Sequence, residues 1–337
     1  MNDLSEAEIQ VLIAMGELDA AHTPATVASL AECRGYFRST ALDWTDALSS
    51  LARMKMLALD GQAFSLTSQG AAYAAQLLKQ RPRMWYFYND FYRATAASAA
   101  FASFCERVFG RNFSQHGFSD MAQLGKLLDV ARLGPANRVL DLGCGNGAMA
   151  EYIADCTGAH ISGIDFSPEA LRQACRRSQG NPKPAFFVMS MDALTFAPGS
   201  FDTLISIDTL YFVDIEPMIR RMKDLLAPGG QMLIFYAHGA GPGADRATFP
   251  KETLAPHRTP LGEALVRTGL SFRTWDFTRA DYEHARLKKQ VIEELGAALE
   301  AEGNLFLYKG ALGEANGVMG DVEAGVQARY LYHIVAP

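Results

Sequence analysis

A chain of 337 residues exceeds what one core of ordinary domain size holds, so about two domains are expected. Hydrophobic residues make up 49%, charged residues 20%, and the net charge is −6, which excludes a general attraction to nucleic acid or an anionic membrane. No apolar run reaches the ~18 residues of a membrane span, and the start, Met-Asn-Asp-Leu-Ser-Glu, lacks the basic and apolar regions of a signal peptide. The cysteines, Cys33, Cys105, Cys144, Cys156 and Cys175, are odd in number and show no C-x-x-C spacing. Buried or semi-buried reduced thiols and a cytoplasmic location are therefore expected, with neither a disulfide frame nor a metal site.

Residues 1–80 predict short helices and then a hairpin. Ile9, Leu12 and Ile13 form one apolar stripe, and "TPATVASLAE" starts a second helix at Thr23-Pro24, a cap with proline in the first turn. Trp44, Leu48 and Leu51 share one face of a third helix, and "MLALDGQAFSLTSQGAAY" alternates around a two-residue turn signal, Asp60-Gly61. This order resembles a winged helix. The segment nevertheless carries nine acidic and five basic residues, with Asp43 and Asp46 on the candidate recognition helix, where phosphate contacts need Lys or Arg. A module for dimerisation or substrate cover is expected in place of a DNA binder.

Residues 81–119 are helical and aromatic, with Trp85, Tyr86, Phe87, Tyr88, Phe91 and Tyr92 on a few turns. Two readings stand: packing between domains, or a roof over a ligand supplied by Tyr86, Tyr88 and Tyr92. From 120 onward the pattern changes. Helix "SDMAQLGKLLDVARL" runs to Gly134-Pro135; then apolar strands ("RVLDLG", "HISGIDF", "AFFVMSM", "FDTLISID", "QMLIFYA") alternate with helices starting at Ala148, Pro168 and Glu216. Such alternation predicts an α/β domain, 120–337, built on a mostly parallel sheet covered on both faces. "SFRTWDFT" and "ARYLYHIVA" predict two late strands, separated by a helical stretch over about 280–325.

The stretch "VLDLGCGNG" ends the first of these strands and opens a helix, the position at which parallel sheets bind ligands. Gly143, Gly145 and Gly147 allow a tight turn and a close ligand. Asp141 argues against a dinucleotide, because a carboxylate there would face a pyrophosphate; it suits a cationic group. Asp165 ends the next strand, where a carboxylate accepts both hydroxyls of a ribose. Asp192 follows the third strand and suits an exocyclic amine. Three acids on three successive strand ends fit S-adenosylmethionine (SAM), with its ammonium, ribose diol and adenine amine.

In those residues the chain resembles the class I SAM-dependent methyltransferases. "VLDLGCGNG", "GIDFSPEAL", "MDALTF" and "FDTLISIDTLYFVD" with "LLAPGGQMLI" match, in order, the glycine loop, the ribose acid, the adenine acid and the fourth and fifth strands around a Pro-Gly-Gly turn. The resemblance implies a Rossmann-like seven-stranded sheet with an antiparallel last strand and a helical cap. It implies SAM as cofactor, a small-molecule acceptor and, with the N-terminal module, a homodimer. The cofactor set it implies is Asp141, Gly143, Cys144, Gly145, Asn146, Gly147, Asp165, Phe166, Met191, Asp192, Ala193 and Asp208. Ser167 with Pro168 predicts a helix N-cap, and Met218, Ile219, Met222, Leu225 and Leu226 the core face of the next helix.

Methyl transfer from a sulfonium expels a neutral thioether, so alignment and desolvation dominate, and a base is needed only when the nucleophile must lose a proton. His116, Tyr211 and His238 are the candidate catalytic residues. Tyr86, Tyr88, Tyr92, Tyr211, Phe212 and Tyr282 are the candidate acceptor contacts, the rings of Tyr211 and Phe212 favouring a cation. Transfer to N, O or C is the expectation. Sulfur methylation without a base is one alternative, and a SAM-sensing winged-helix regulator is the other.

Overall fold

Local capping and strand pairing set the first half of the architecture. A computed structural model describes residues 4–34, 37, 42–61, 63–179, 184–241 and 244–336. The chain divides into two compact units, Met1–Phe91 and Tyr92–Pro337. Helix α1 (Glu6–Ala20) begins with a capping box: the Ser5 backbone N–H donates to Glu8 Oε2 at 2.7 Å, and the Glu8 N–H donates to Ser5 Oγ at 3.3 Å. Strand β1 (Ala25–Thr26), α2 (Val27–Arg34), α3 (Trp44–Arg53), β2 (Leu57–Asp60), β3 (Ala63–Leu66) and α4 (Ser68–Gln80) follow, and α5 (Arg83–Ala97) contains the division between the units. The three strands form an antiparallel sheet in the order β1–β3–β2.

Two local expectations are corrected here. The second helix starts at Val27 and not at Thr23-Pro24, because Ala25 and Thr26 pair with Phe64 and Ala63 and the Thr26 hydroxyl accepts from the Ser29 N–H at 3.2 Å. Asp60 is the last residue of its strand, opposite Ala63, so the turn begins at Gly61. Leu12, Ile13, Trp44 and Leu51 are buried together as their helix faces predict, each core side chain contributing roughly 1.5–3 kcal/mol.

In the second unit, α6 (Ala99–Phe109) and α7 (Met121–Ala131) lead into β4 (Arg138–Leu142), α8 (Ala148–Thr157), β5 (His160–Asp165), α9 (Pro168–Arg177) and β6 (Ala185–Val188). Then come β7 (Phe201–Ile207), α10 (Ile215–Leu225), β8 (Leu226–Gly239), α11 (Pro260–Arg267), β9 (Phe272–Asp276), α12 (Thr278–Ala301), α13 (Leu305–Glu323) and β10 (Gln327–Val335). The sheet order is β6–β5–β4–β7–β8–β10–β9, and β10 runs antiparallel to both of its neighbours. This is the Rossmann-like α/β sheet expected, with α12 and α13 as the helical stretch between the late strands. The aromatic segment 81–119 does not stand apart; it is shared between the two units.

Alternation along the strands sorts the core onto two faces. Leu140, Leu204, Met232 and Ile234 pack with Met218, Ile219 and Met222 of α10. Val139, Ile205, Leu233 and Phe235 pack with Leu124 and Leu127 of α7 and Ile153 of α8. Ser167 caps α9, accepting from the Ala170 N–H at 3.2 Å, with Pro168 in the first turn. Helix α7 stops at Ala131, where Arg132 turns left-handed, before Gly134-Pro135. Leu226 belongs to β8: it pairs with Phe201 while Gln231 pairs with Thr203, so the Pro-Gly-Gly segment loops out of the ladder, where proline has no N–H to donate. Cys33, Cys105 and Cys144 are buried; Cys156 and Cys175, on helices α8 and α9, are exposed, where at least partial burial was expected. Among the described residues no helix is long and apolar enough to cross a membrane.

Candidate functional site

The strand order reverses between β4 and β7, and a cleft opens beyond their carboxyl ends. Its floor is the glycine turn. The Gly143 and Cys144 N–H groups both donate to Ile164 O at 2.9 Å, tying the turn to β5. Gly145 holds a left-handed φ of +57°, and a Cβ there would lie 2.2 Å from the Tyr92 hydroxyl. Tyr92 therefore lines the cleft, as do Cys144, whose thiol burial holds protonated, and Asn146, whose Oδ1 accepts from the Ala148 N–H at 3.2 Å. Gly147 sits at the cap of α8.

Two carboxylates lie at this floor. Asp165 accepts from the Gly145 N–H at 3.0 Å and the Ser167 N–H at 2.8 Å, so it shapes the turn and keeps lone pairs for a further donor. Asp141 is 6% exposed and has no hydrogen-bond partner among the described residues. Burial, with the Asp165 charge adding to it, pushes the Asp141 carboxyl up to about 7. Burial raises Asp165 to about 6 against its backbone donors. A cationic ligand group beside Asp141 would relieve both effects, and a vicinal diol suits the remaining acceptor capacity of Asp165.

Asp208, at φ +55° just after β7, forms the wall opposite the glycine turn. Its carboxylate is committed within the protein. Arg329 Nε donates to Oδ1 at 3.0 Å and Nη2 donates to Oδ2 at 2.7 Å, and the Tyr211 hydroxyl donates to Oδ1 at 3.2 Å. Arg329 is 2% exposed and also donates to Gln123 Oε1 at 2.5 Å, Asp281 Oδ1 at 3.1 Å and Ser119 Oγ at 2.7 Å. Its guanidinium lies 4.6 Å from the Phe235 ring centroid. Asp208 thus anchors the wall while lining the cleft, its carboxylate engaged by Arg329 and Tyr211.

His116 also lines the cleft. Its Nδ1 is 3.6 Å from Glu314 Oε1, and the other Glu314 oxygen is held by Lys288. Burial pushes the imidazole below its ordinary value and Lys288 adds to that, while Glu314 and Asp208 oppose it, so the balance favours the neutral ring.

Other expected residues lie elsewhere. His238 bonds Thr253 Oγ1 at 3.0 Å in a separate groove between the start of α10 and α11, which removes it from the set around His116. Tyr211 is half exposed, accepts the Ala237 N–H at 2.7 Å and packs on Tyr236, beside exposed Phe212. Tyr282 donates to Glu323 Oε1 at 2.6 Å on the outer side of α12 and lines no part of the cleft, because its position faces solvent. Tyr86 donates to Glu6 within the first unit, and Tyr88 packs near Phe87 and Phe91 there. Phe166 follows β5; Met191, Asp192 and Ala193 form a short turn after β6, with Asp192 exposed.

The residues that sequence reasoning missed are Arg329, Asp281, Gln123, Lys288 and Glu314. One signal was present: Asp281, His284 and Lys288 repeat at helical spacing on the buried face of α12, a polar stripe where an amphipathic helix would be apolar. Among the described residues no group of His, Cys, Asp or Glu is placed to hold a metal ion.

With this geometry in place, comparison with known proteins gives consistent findings. Residues 139–230 match the methyltransferase domain family. A stretch of 151 residues is 31% identical to phosphoethanolamine N-methyltransferase 1 of Zea mays, covering 44% of this chain and 30% of that enzyme's length. The solved phosphoethanolamine N-methyltransferase 2 of Haemonchus contortus, in complex with phosphomonomethylethanolamine and S-adenosylhomocysteine, aligns with TM-score 0.55 at 18% identity, over 92% of this chain and 73% of that one. The cyclopropane synthase MmaA2 of Mycobacterium tuberculosis aligns with TM-score 0.56 at 15% identity, over 73% of this chain and 98% of that one. At these identities the structural likeness shows a shared fold.

Proposed function

We propose that this chain, which carries a class I SAM-dependent methyltransferase domain, transfers a methyl group from SAM to a small-molecule acceptor. The observation that carries the reading is Asp141: a carboxylate 6% exposed that lines the cleft at the glycine turn, next to a second buried carboxylate. Burying such a group is unfavourable unless a cation completes it. Asp141 would hold the ammonium, Asp165 the ribose hydroxyls and Asp192 the adenine amine. When bound, SAM supplies an electrophilic methyl whose leaving group is neutral. The chain then has to align the acceptor, exclude water and, for a protonated nucleophile, accept one proton. His116, on the cleft wall with its imidazole held below its ordinary value by burial, has the chemistry for that last task.

An amine is the acceptor we favour within N, O or C transfer. The maize and Haemonchus relatives are N-methyltransferases by name, and the half-exposed rings of Tyr211 and Phe212 offer an aromatic surface suited to a cationic amine. The first unit, with helices and strands in the order α1–β1–α2–α3–β2–β3, is proposed as a winged-helix-like dimerisation module. Asp43 caps α3 at the Thr45 N–H and Asp46 stands in its first turn, charges unsuited to DNA phosphates.

Two measurements test the reading. Calorimetry should show SAM and S-adenosylhomocysteine binding to the full chain, with Asp141→Ala and Asp165→Ala abolishing it; undiminished binding in both variants removes the assignment. Incubation with isotope-labelled SAM and a panel of small amines, followed by mass spectrometry, should give a labelled N-methyl product. Label found only on hydroxyl or thioether acceptors would move the acceptor atom.

A further inference from the structure

Behind the cleft wall, α12 and α13 grip the segment that carries His116. Asp281, His284 and Lys288 lie on one buried face of α12. Lys288, 2% exposed, donates to Gly117 O at 3.1 Å and to Glu314 on α13. His284 Nδ1 stands 3.5 Å from Asp120 Oδ2. Asp281 holds Arg329, which donates to Ser119 Oγ at 2.7 Å. The segment after His116 is therefore held at Gly117, Ser119 and Asp120. The imidazole itself turns Nδ1 toward Glu314 at 3.6 Å, too long for a hydrogen bond and attractive once the ring is protonated.

We propose that Glu314 and Lys288 are positioning residues for His116. Glu314 on α13 faces the Nδ1 side of the ring, and Lys288 fixes both Glu314 and the Gly117 carbonyl. The inference rests on the reading of the cleft as the methyl-transfer site, and it assigns to the cap helices a part in setting the basicity of the wall. A lysine ammonium buried at 2% exposure is costly to desolvate, and its two partners, the Gly117 carbonyl in the His116 segment and Glu314 on α13, account for its retention. The charged groups facing His116 are Glu314 from α13, Lys288 from α12 and Asp208 after β7. When the ring takes a proton, Glu314 and Asp208 stabilise the imidazolium and Lys288 opposes it.

The test is an NMR titration of the His116 imidazole in the full chain, parent against Glu314→Gln and Lys288→Met, with S-adenosylhomocysteine affinity measured on the same samples by calorimetry. Glu314→Gln removes an attracting charge and leaves Lys288 unpaired, so the His116 midpoint should fall by about one pH unit and its tautomer balance should change. Lys288→Met should displace the midpoint upward. Midpoints that stay within 0.2 or so of the parent, or that move in the same direction in both variants, overturn the proposal. Glu314→Gln is nearly isosteric and decides the matter by itself if Lys288→Met does not fold. Opposite displacements in a chain that fails to bind S-adenosylhomocysteine would sustain the positioning role while removing the functional reading of the cleft.

Discussion

Arg329 and Asp208 meet in a two-pronged ion pair, Nε to Oδ1 at 3.0 Å and Nη2 to Oδ2 at 2.7 Å, with the guanidinium almost wholly out of water. Asp281 completes the group from α12, so one buried cation serves two buried carboxylates from different elements. Burial raises the Asp281 carboxyl to about 6, Arg329 opposing that and Asp208 adding to it. Removing one member of such a set leaves uncompensated charge. Arg329→Met should destabilise the second unit by about 3–5 kcal/mol, visible as a large fall in Tm. Arg329→Lys keeps the charge, loses the fork and should fall between the two. A Tm for Arg329→Met within a degree or so of the parent would show that the network contributes nothing to stability.

Asp141 carries a prediction in which stability and binding move in opposite directions. Its folded carboxyl titrates at about 7, above the ordinary value, because burial and then the Asp165 charge disfavour ionisation. Between the unfolded and folded values the unfolded chain binds fewer protons, so the stability of the cofactor-free protein should decline as pH rises from about 4 to about 7. Asp141→Asn removes this ionisation. The variant should match the parent in Tm near pH 4 and exceed it at pH 8, yet gain little from added SAM. The parent's SAM affinity should strengthen as pH rises through about 7, and the Asn variant should lose that component of the slope. A parent whose affinity is flat from pH 6 to 8 counts against Asp141 as the cationic subsite.

Gly145 tests the geometry of the turn without touching a charge. Its left-handed φ makes any other L-residue unfavourable by roughly 1–2 kcal/mol. The Tyr92 hydroxyl, 2.2 Å from an added Cβ, would be displaced as well. Gly145→Ala should lower SAM affinity by about tenfold or more. Tyr92→Phe in the same chain should restore part of the loss, since the hydroxyl is the nearest obstacle. An additive double variant, with no restoration, would show that the backbone strain alone sets the effect.

How much of this was legible beforehand follows from the range of the interactions. The glycine turn, Ser167-Pro168 and the core faces of α3 and α10 depend on short-range spacing, and Asp141 and Asp165 on the order of strand ends along the chain; both are printed in the sequence itself. Arg329 was not legible. It is one arginine in a β-rich strand, and its partners lie 48 to 210 positions away in sequence at Asp281, Gln123, Asp208 and Ser119. Only β10 inserted beside β8 brings them together. The misplaced start of α2 has the same origin. Thr23-Pro24 is a sound local cap, but Ala25 and Thr26 are taken by a ladder with β3, about 38 residues on.

His116 and His238 make the last contrast. Both stand among the candidate catalytic residues read from the sequence. The structure separates them: His116 lines the cleft with Asp141 and Asp208, while His238 bonds Thr253 in another groove. His116→Ala should therefore reduce kcat for an acceptor that must lose a proton by ~10²–10⁴-fold, with S-adenosylhomocysteine affinity kept within about threefold. The effect should vanish for a tertiary amine, which has no proton to shed. His238→Ala should leave kcat within about twofold and lower Tm slightly through the lost Thr253 bond. Full activity in His116→Ala with a protonated acceptor would show that solvent takes the proton. A large loss confined to His238→Ala would transfer the acceptor site to the second groove.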